Sequence, residues 1–263
     1  MEFCINEAPV YMATGGKEFD PDLPTVLFLH GSGGDHRTWA LQTRWFAYHG
    51  YSVLAPDLPG HSLSGGRAFT SIEESAPWLA ELLDRAGARK AHIVGHSQGF
   101  LSALDFAKHH PERVLSLTAV ATAAAIPVNQ ALIDTAKESA AKAAFMMCNW
   151  GFGPNAHMGI SSVPGMQPIA ISRAIMGNNP LAADLQACAD YVAGGDIAKS
   201  LNIPVHCILG TADKMTPLKA GKALAESMQC DATILDGYGH MLPLEAPKKT
   251  LAALRKFIQS IET

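Results

Sequence analysis

The chain has 263 residues, 48% of them hydrophobic and 17% charged, with a formal net charge of −4. That is enough apolar material for a large core and excludes a disordered chain, while the lack of any extended Lys/Arg run excludes a nucleic-acid footprint. Charge near the N-terminus where an export signal needs apolar residues, no long apolar run, and five scattered cysteines without C-x-x-C spacing point to a cytoplasmic protein with reduced thiols and no membrane contact.

Residues 1–13 read as two short edge strands, and Asp20-Pro21-Asp22-Leu23-Pro24 as a turn. Thr25–Leu29 is an unbroken apolar run, the pattern of a strand buried on both faces. It ends in His30-Gly31-Ser32-Gly33-Gly34, where glycines let the backbone turn tightly and aim N–H groups into a cleft. A helix is expected over Arg37–His49 and a strand over Tyr51–Ala55. In the loop that follows, Asp57 is read as stabilising its own turn, and His61 as part of a loop shaped by Pro59 and Gly60. A helix over Ile72–Ala86 then places Ile72, Leu79, Leu82 and Leu83 on one face.

The next strand, Ala91–Val94, runs into Gly95-His96-Ser97-Gln98-Gly99 and then a helical pattern. A strand, a sharp turn and a helix lift the Ser97 side chain above the sheet, and the flanking glycines relieve the crowding. The helix stops near His109-His110-Pro111; the paired histidines point to different faces and are read as surface residues. Val114–Val120 is another buried strand.

From about Ile126 to Ser200 the alternation of strand and helix breaks. Val128–Asn149 reads as one Ala/Lys-rich helix, a Gly/Pro-rich loop follows, and further helices fit Gln167–Met176 and Pro180–Val192. This stretch is expected to be a helical cap over the site, with Met146, Met147 and Trp150 lining an adaptable apolar pocket. The alternation resumes with a strand at Pro204–Leu209, the loop Gly210-Thr211-Ala212-Asp213, a helix over Pro217–Gln229, the strand Ala232–Leu235 and the loop Gly237-Tyr238-Gly239-His240. A closing helix spans Leu244–Ile261.

Serine is a poor nucleophile at neutral pH. It needs a base to take its proton, and the base needs a carboxylate to hold its tautomer. Loops after parallel strands emerge at one sheet edge, so Ser97, Asp213 and His240 can meet there in the chain order Ser…Asp…His. The Ser32 and Gln98 N–H groups are the expected oxyanion donors. His30, Gly31 and Met241 join the candidate pocket residues, and no spacing of metal ligands is found, so neither a metal nor a cofactor is expected.

His30-Gly31-Ser32-Gly33, Asp57-Leu58-Pro59-Gly60-His61-Ser62, Gly95-His96-Ser97-Gln98-Gly99, Gly210-Thr211-Ala212-Asp213 and Gly239-His240 together resemble the α/β-hydrolase fold superfamily, and among it the capped ester and C–C hydrolases. The resemblance covers nearly the whole chain. It implies an α/β fold with a mostly parallel eight-stranded sheet and helices on both faces, a core from residues 1–126 and 201–263, and a helical cap from 127–200. It also implies Asp213 as triad acid and His240 as triad base. Ser62 stands where the family commonly has glycine, a departure that touches loop shape. The leading expectation is a serine carboxylesterase acting on small to medium uncharged esters. A C–C hydrolase of diketone ring-cleavage products would use the same triad, and a non-catalytic ligand-binding protein would need none of it. Substrate identity and oligomeric state are left open by the sequence.

Overall fold

The computed structural model describes residues 1–261. Its eight strands are β1 (Glu2–Ile5), β2 (Ala8–Ala13), β3 (Thr25–Leu29), β4 (Ser52–Pro56), β5 (Ala91–His96), β6 (Val114–Val120), β7 (Val205–Gly210) and β8 (Ala232–Leu235). They form one sheet in the order β1-β2-β4-β3-β5-β6-β7-β8. The β1–β2 and β2–β4 pairings are antiparallel and the rest parallel. The fold is thus the α/β-hydrolase fold that the motifs implied. Only β1 of the first two strands lies at an edge; β2 is covered by β4.

Alternation along the central strands sorts the core into two layers. Leu27 and Leu29 of β3 face one side, where α2 (Ser75–Ala86) and α3 (Gln98–His109) pack with Leu79, Leu82, Phe100 and Leu104. Val26 and Phe28 face the other, against α1 (Ala40–Ala47) and α12 (Pro247–Ile261) with Phe46, Leu254 and Ile258. Strands buried on both faces are read as continuous apolar runs for this reason. The expected helix over Arg37–His49 divides: a 3-10 turn spans His36–Trp39, capped by Asp35, and α1 follows.

Between β6 and β7 lie α4 (Gln130–Glu138), α5 (Ala140–Gly151), α6 (Pro154–His157), α7 (Pro168–Met176), α8 (Leu181–Asp190) and α9 (Gly194–Ser200). The single helix expected over Val128–Asn149 is two. Ser139 leaves helical geometry at φ −160° and ψ 105° and caps α5 by accepting from the Lys142 N–H. Helices α4, α5, α7 and α8 share a third apolar cluster, which holds Leu132, Met147, Met176 and Leu185 and reaches Met241 and Leu244 in the segment after β8. Helix α9 instead packs on α3 and on α10 (Leu218–Ser227). Because β6 and β7 are parallel neighbours, the chain must cross from the end of one to the start of the other, and α9 makes that return. The closing segment likewise divides, into α11 (Leu242–Glu245) and α12.

Candidate active site

The order β4-β3-β5 places a topological switch between β3 and β5: the chain leaves β3 for one side and returns to build on the other. A crevice opens at such a point outside the carboxyl ends of the strands. The loop after β3 and the turn after β5 border it. Ser97, directly after β5, has φ 52° and ψ −121°, a strained conformation held by its N–H donating to the Val120 carbonyl and by the Thr122 hydroxyl donating to the Ser97 carbonyl. A Cβ on Gly95 would lie 2.4 Å from the Phe100 Cα, and one on Gly99 2.5 Å from the Leu29 carbonyl oxygen. Both glycines are required by close backbone approach.

Ser97 and His240 line one cavity of about 240 Å³, together with Gly31, Ser32, Met147, Trp150, Thr216 and Met241. His240 Nδ1 lies 2.8 Å from Asp213 Oδ2. Asp213 also accepts from the Met215 and Thr216 N–H groups and from the Thr216 hydroxyl. Burial pushes its carboxyl up, but the charge and hydrogen bond of His240, with the Thr216 contacts, outweigh burial and hold it below the usual carboxylate range. Asp236, the other acid near His240 in the chain, is exposed and accepts from the Thr211 hydroxyl. Gln98 opens α3, so its N–H has no intrahelical partner and points with the helix N-terminus toward the crevice.

The candidate pocket residues separate. Gly31, Met147, Trp150 and Met241 are on the cavity wall. His30 is not. It is fully buried behind the loop, accepting from the Leu58 N–H through Nε2, with Nδ1 3.0 Å from the Gly31 carbonyl. Burial, reinforced by the nearby His61, pulls its pKa down to about 4, so it stays neutral. Met146 is also off the wall; it packs half-buried against the α4–α8 cluster, because adjacent helical residues point about 100° apart.

Several residues at the site escaped the sequence reading. His96, the residue before Ser97, lines the cavity and donates through Nε2 to the His240 carbonyl at 3.0 Å. Burial, then the charge of His240, lowers its pKa to about 3. Glu245 accepts from the Gly153 and Gly239 N–H groups, tying the His240 loop to the segment after α5. Ser172 of α7 lines the cavity at 1% exposure, and its hydroxyl has no hydrogen-bond partner in the structure. Asp57 accepts from the N–H and Nδ1 of His36 and from the Leu63 N–H, a wider loop-holding role than its own turn. Asp35, His36 and Asp57 bring ligand-type atoms within 4.8 Å of one another, but Asp35 is engaged by Arg37 and Asp57 by these donors. His61 is no mere loop residue: its Nε2 lies 2.9 Å from Asp184 Oδ2 on α8.

A family model described as "Alpha/beta hydrolase family" matches residues 26–254. The 3-oxoadipate enol-lactonase 1 of Acinetobacter baylyi is 24% identical over 91% of this chain and 90% of its own length. A dihydrolipoyllysine-residue acetyltransferase component of the acetoin cleaving system of Cupriavidus necator is 43% identical over 36% of this chain; the match spans 26% of that longer protein. Among solved structures, a thermophilic esterase aligns over 99% of this chain and 97% of its own with a TM-score of 0.81 and 25% identity. No helix among the described residues is long and apolar enough to cross a membrane.

Proposed function

The chain belongs to the alpha/beta hydrolase family, and from that premise we propose that it is a serine hydrolase cleaving small to medium uncharged carboxylic esters through an acyl-enzyme on Ser97. The observation that carries this reading is the 2.8 Å contact from Asp213 to His240, with His240 and Ser97 on the wall of one cavity. His240 Nε2 takes the proton from Ser97 Oγ as it attacks the ester carbonyl, while Asp213 holds the proton on Nδ1 and stabilises the imidazolium. The Ser32 and Gln98 N–H groups receive the oxyanion. His240 then returns the proton to the leaving alcohol. Water, deprotonated by the same imidazole, attacks the acyl-enzyme and releases the acid and the free serine.

The helices between β6 and α9 are the roof of the site in this reading, with residues 127–190 doing the covering and α9 belonging to the crossover. The roof is largely apolar, with Asn129 and Ser172 as polar residues on its wall, and the free hydroxyl of Ser172 suits a neutral polar atom on the substrate. A fluorophosphonate should label the wild-type protein at Ser97 and p-nitrophenyl esters of short to medium acids should turn over. Absence of labelling would favour a ligand-binding protein. Labelling without ester turnover, together with cleavage of a vinylogous diketone, would favour a C–C hydrolase.

Burial of each further methylene is worth about 0.8 kcal/mol, or about fourfold in KM, until the cavity is full. Met147→Ala, on the wall and 4% exposed, should therefore move the preferred acyl length upward. Met146→Ala, off the wall, should leave the chain-length profile as in wild type. Equal profiles for wild type and Met147→Ala would place the acyl group elsewhere.

A further inference from the structure

Behind the Gly31–Gly34 loop lies a buried polar cluster that the proposed reaction does not use. Asp184 of α8 accepts from the Gly33 N–H at 2.6 Å and faces His61 Nε2 at 2.9 Å through the same Oδ2. Asp184 and His61 are 2% and 1% exposed. Asn179, just before α8, donates to the Gly33 and Gly34 carbonyls at 2.9 and 2.8 Å and accepts from the Ser62 N–H at 2.9 Å. The peptides on the C-terminal side of Ser32 are thus anchored by side chains of the roof.

Proton accounting sets the charge state. His61 Nδ1 lies 3.0 Å from the Pro59 carbonyl, which can only accept, so Nδ1 carries a hydrogen. Nε2 faces Oδ2 of Asp184, and a carboxylate offers only acceptors, so Nε2 donates as well. An imidazole donating through both nitrogens is an imidazolium, and Asp184 is its carboxylate partner.

We propose that the His61 imidazolium and the Asp184 carboxylate form a clamp by which the roof positions the oxyanion loop, so that full turnover requires the clamp to be closed. The inference rests on the acyl-enzyme reading above. His61 and Asp184 touch no reacting atom; they are positioning residues acting through Gly33 on Ser32. A misplacement of about 1 Å at such a distance can cost about 100-fold in rate.

The clamp makes activity depend on pH in a stated direction. Burial pulls the His61 pKa down, but the charge and hydrogen bond of Asp184, the Pro59 carbonyl and the charge of Asp57 outweigh it and raise it above the usual imidazole value. The groups facing His61 are the neutral ring of His30 at a centroid distance of 5.0 Å, Asp57 with its partner His36, and Asp184. A raised value means that the pair is closed at low pH and opens as pH rises through it, above the ordinary value of about 6.5. The rate should therefore fall on the alkaline side.

The test measures kcat and KM for p-nitrophenyl butyrate from pH 5 to 10 in the wild type, Asp184→Ala, Asp184→Asn and His61→Gln, with fluorophosphonate labelling of each. Asp184→Ala should lower kcat by about 10- to 100-fold with KM within about twofold. Asp184→Asn, with its amide oxygen in the place of Oδ2, still accepts from the Gly33 N–H but offers no carboxylate to hold the His61 imidazolium. It should recover most of kcat and lose the alkaline fall. His61→Gln should also lose that fall, and both conservative variants keep the test available if Asp184→Ala does not fold. Wild-type kcat in Asp184→Ala, or an unchanged alkaline fall in Asp184→Asn and His61→Gln, would overturn the clamp while labelling of Ser97 left the acyl-enzyme standing. No labelling of the wild type would overturn both.

Discussion

Ser97→Ala is expected to lower kcat for p-nitrophenyl esters by about 10⁶-fold and to leave the fold intact. The size follows from the reaction order: without Oγ no acyl-enzyme forms, and only the oxyanion donors and binding remain to help water. The fold should tolerate the change because what holds the elbow is backbone. The Ser97 N–H to the Val120 carbonyl and the Thr122 hydroxyl to the Ser97 carbonyl survive the substitution, and alanine meets the same φ of 52° that serine already bears. Circular dichroism and the thermal midpoint check the fold, and initial rates check the chemistry. A variant with a tenth of the wild-type kcat would remove Ser97 from the nucleophile role.

Asp213→Asn should cost about 10⁴-fold in kcat with little change in KM. The asparagine oxygen can keep the Met215 and Thr216 N–H bonds that Asp213 Oδ1 now accepts. Its nitrogen then faces His240 Nδ1 and favours the tautomer with the proton on Nε2, where it cannot receive one from serine. Asp236→Asn serves as the comparison, since Asp236 sits exposed with the Thr211 hydroxyl. If that variant were the more damaged of the two, the acid would have to be reassigned.

Most of the sheet was legible because strands buried on both faces carry continuous apolar runs, as β3, β5 and β6 do. The three residues of the proposed triad could be brought together from the sequence because each lies in the turn or loop after a parallel strand, where backbone direction dictates which edge the loop leaves. His30 was misassigned to the pocket because sequence neighbours at a strand end need not share a face: Gly31 turns into the cavity and His30 turns behind it. The break at Ser139 carried a local signal, a capping residue inside an Ala/Lys-rich stretch, that the helical pattern on either side obscured. The partnership of His61 with Asp184 had none. It joins residues 123 positions apart, and no periodicity or spacing relates them. The return helix α9 begins with Gly194 and Gly195, poor helix formers, and exists because a parallel crossover must come back across the sheet.

That crossover bears on how such a molecule diversifies. The chain must travel from the end of β6 to the start of β7 in any case, so residues placed ahead of α9 lengthen a connection the fold already contains. Each doubling of a flexible connection costs only about 0.6 kcal/mol in closure entropy, and the strand register never feels it. Selection can therefore trade one roof for another to suit a different substrate, while the chemistry stays with the sheet. The exchange is not free of conditions. A transplanted roof has to arrive with an acceptor where Asp184 meets Gly33 and an amide where Asn179 meets Gly33 and Gly34, or the new specificity would be inherited without the scaffold that lets it turn over.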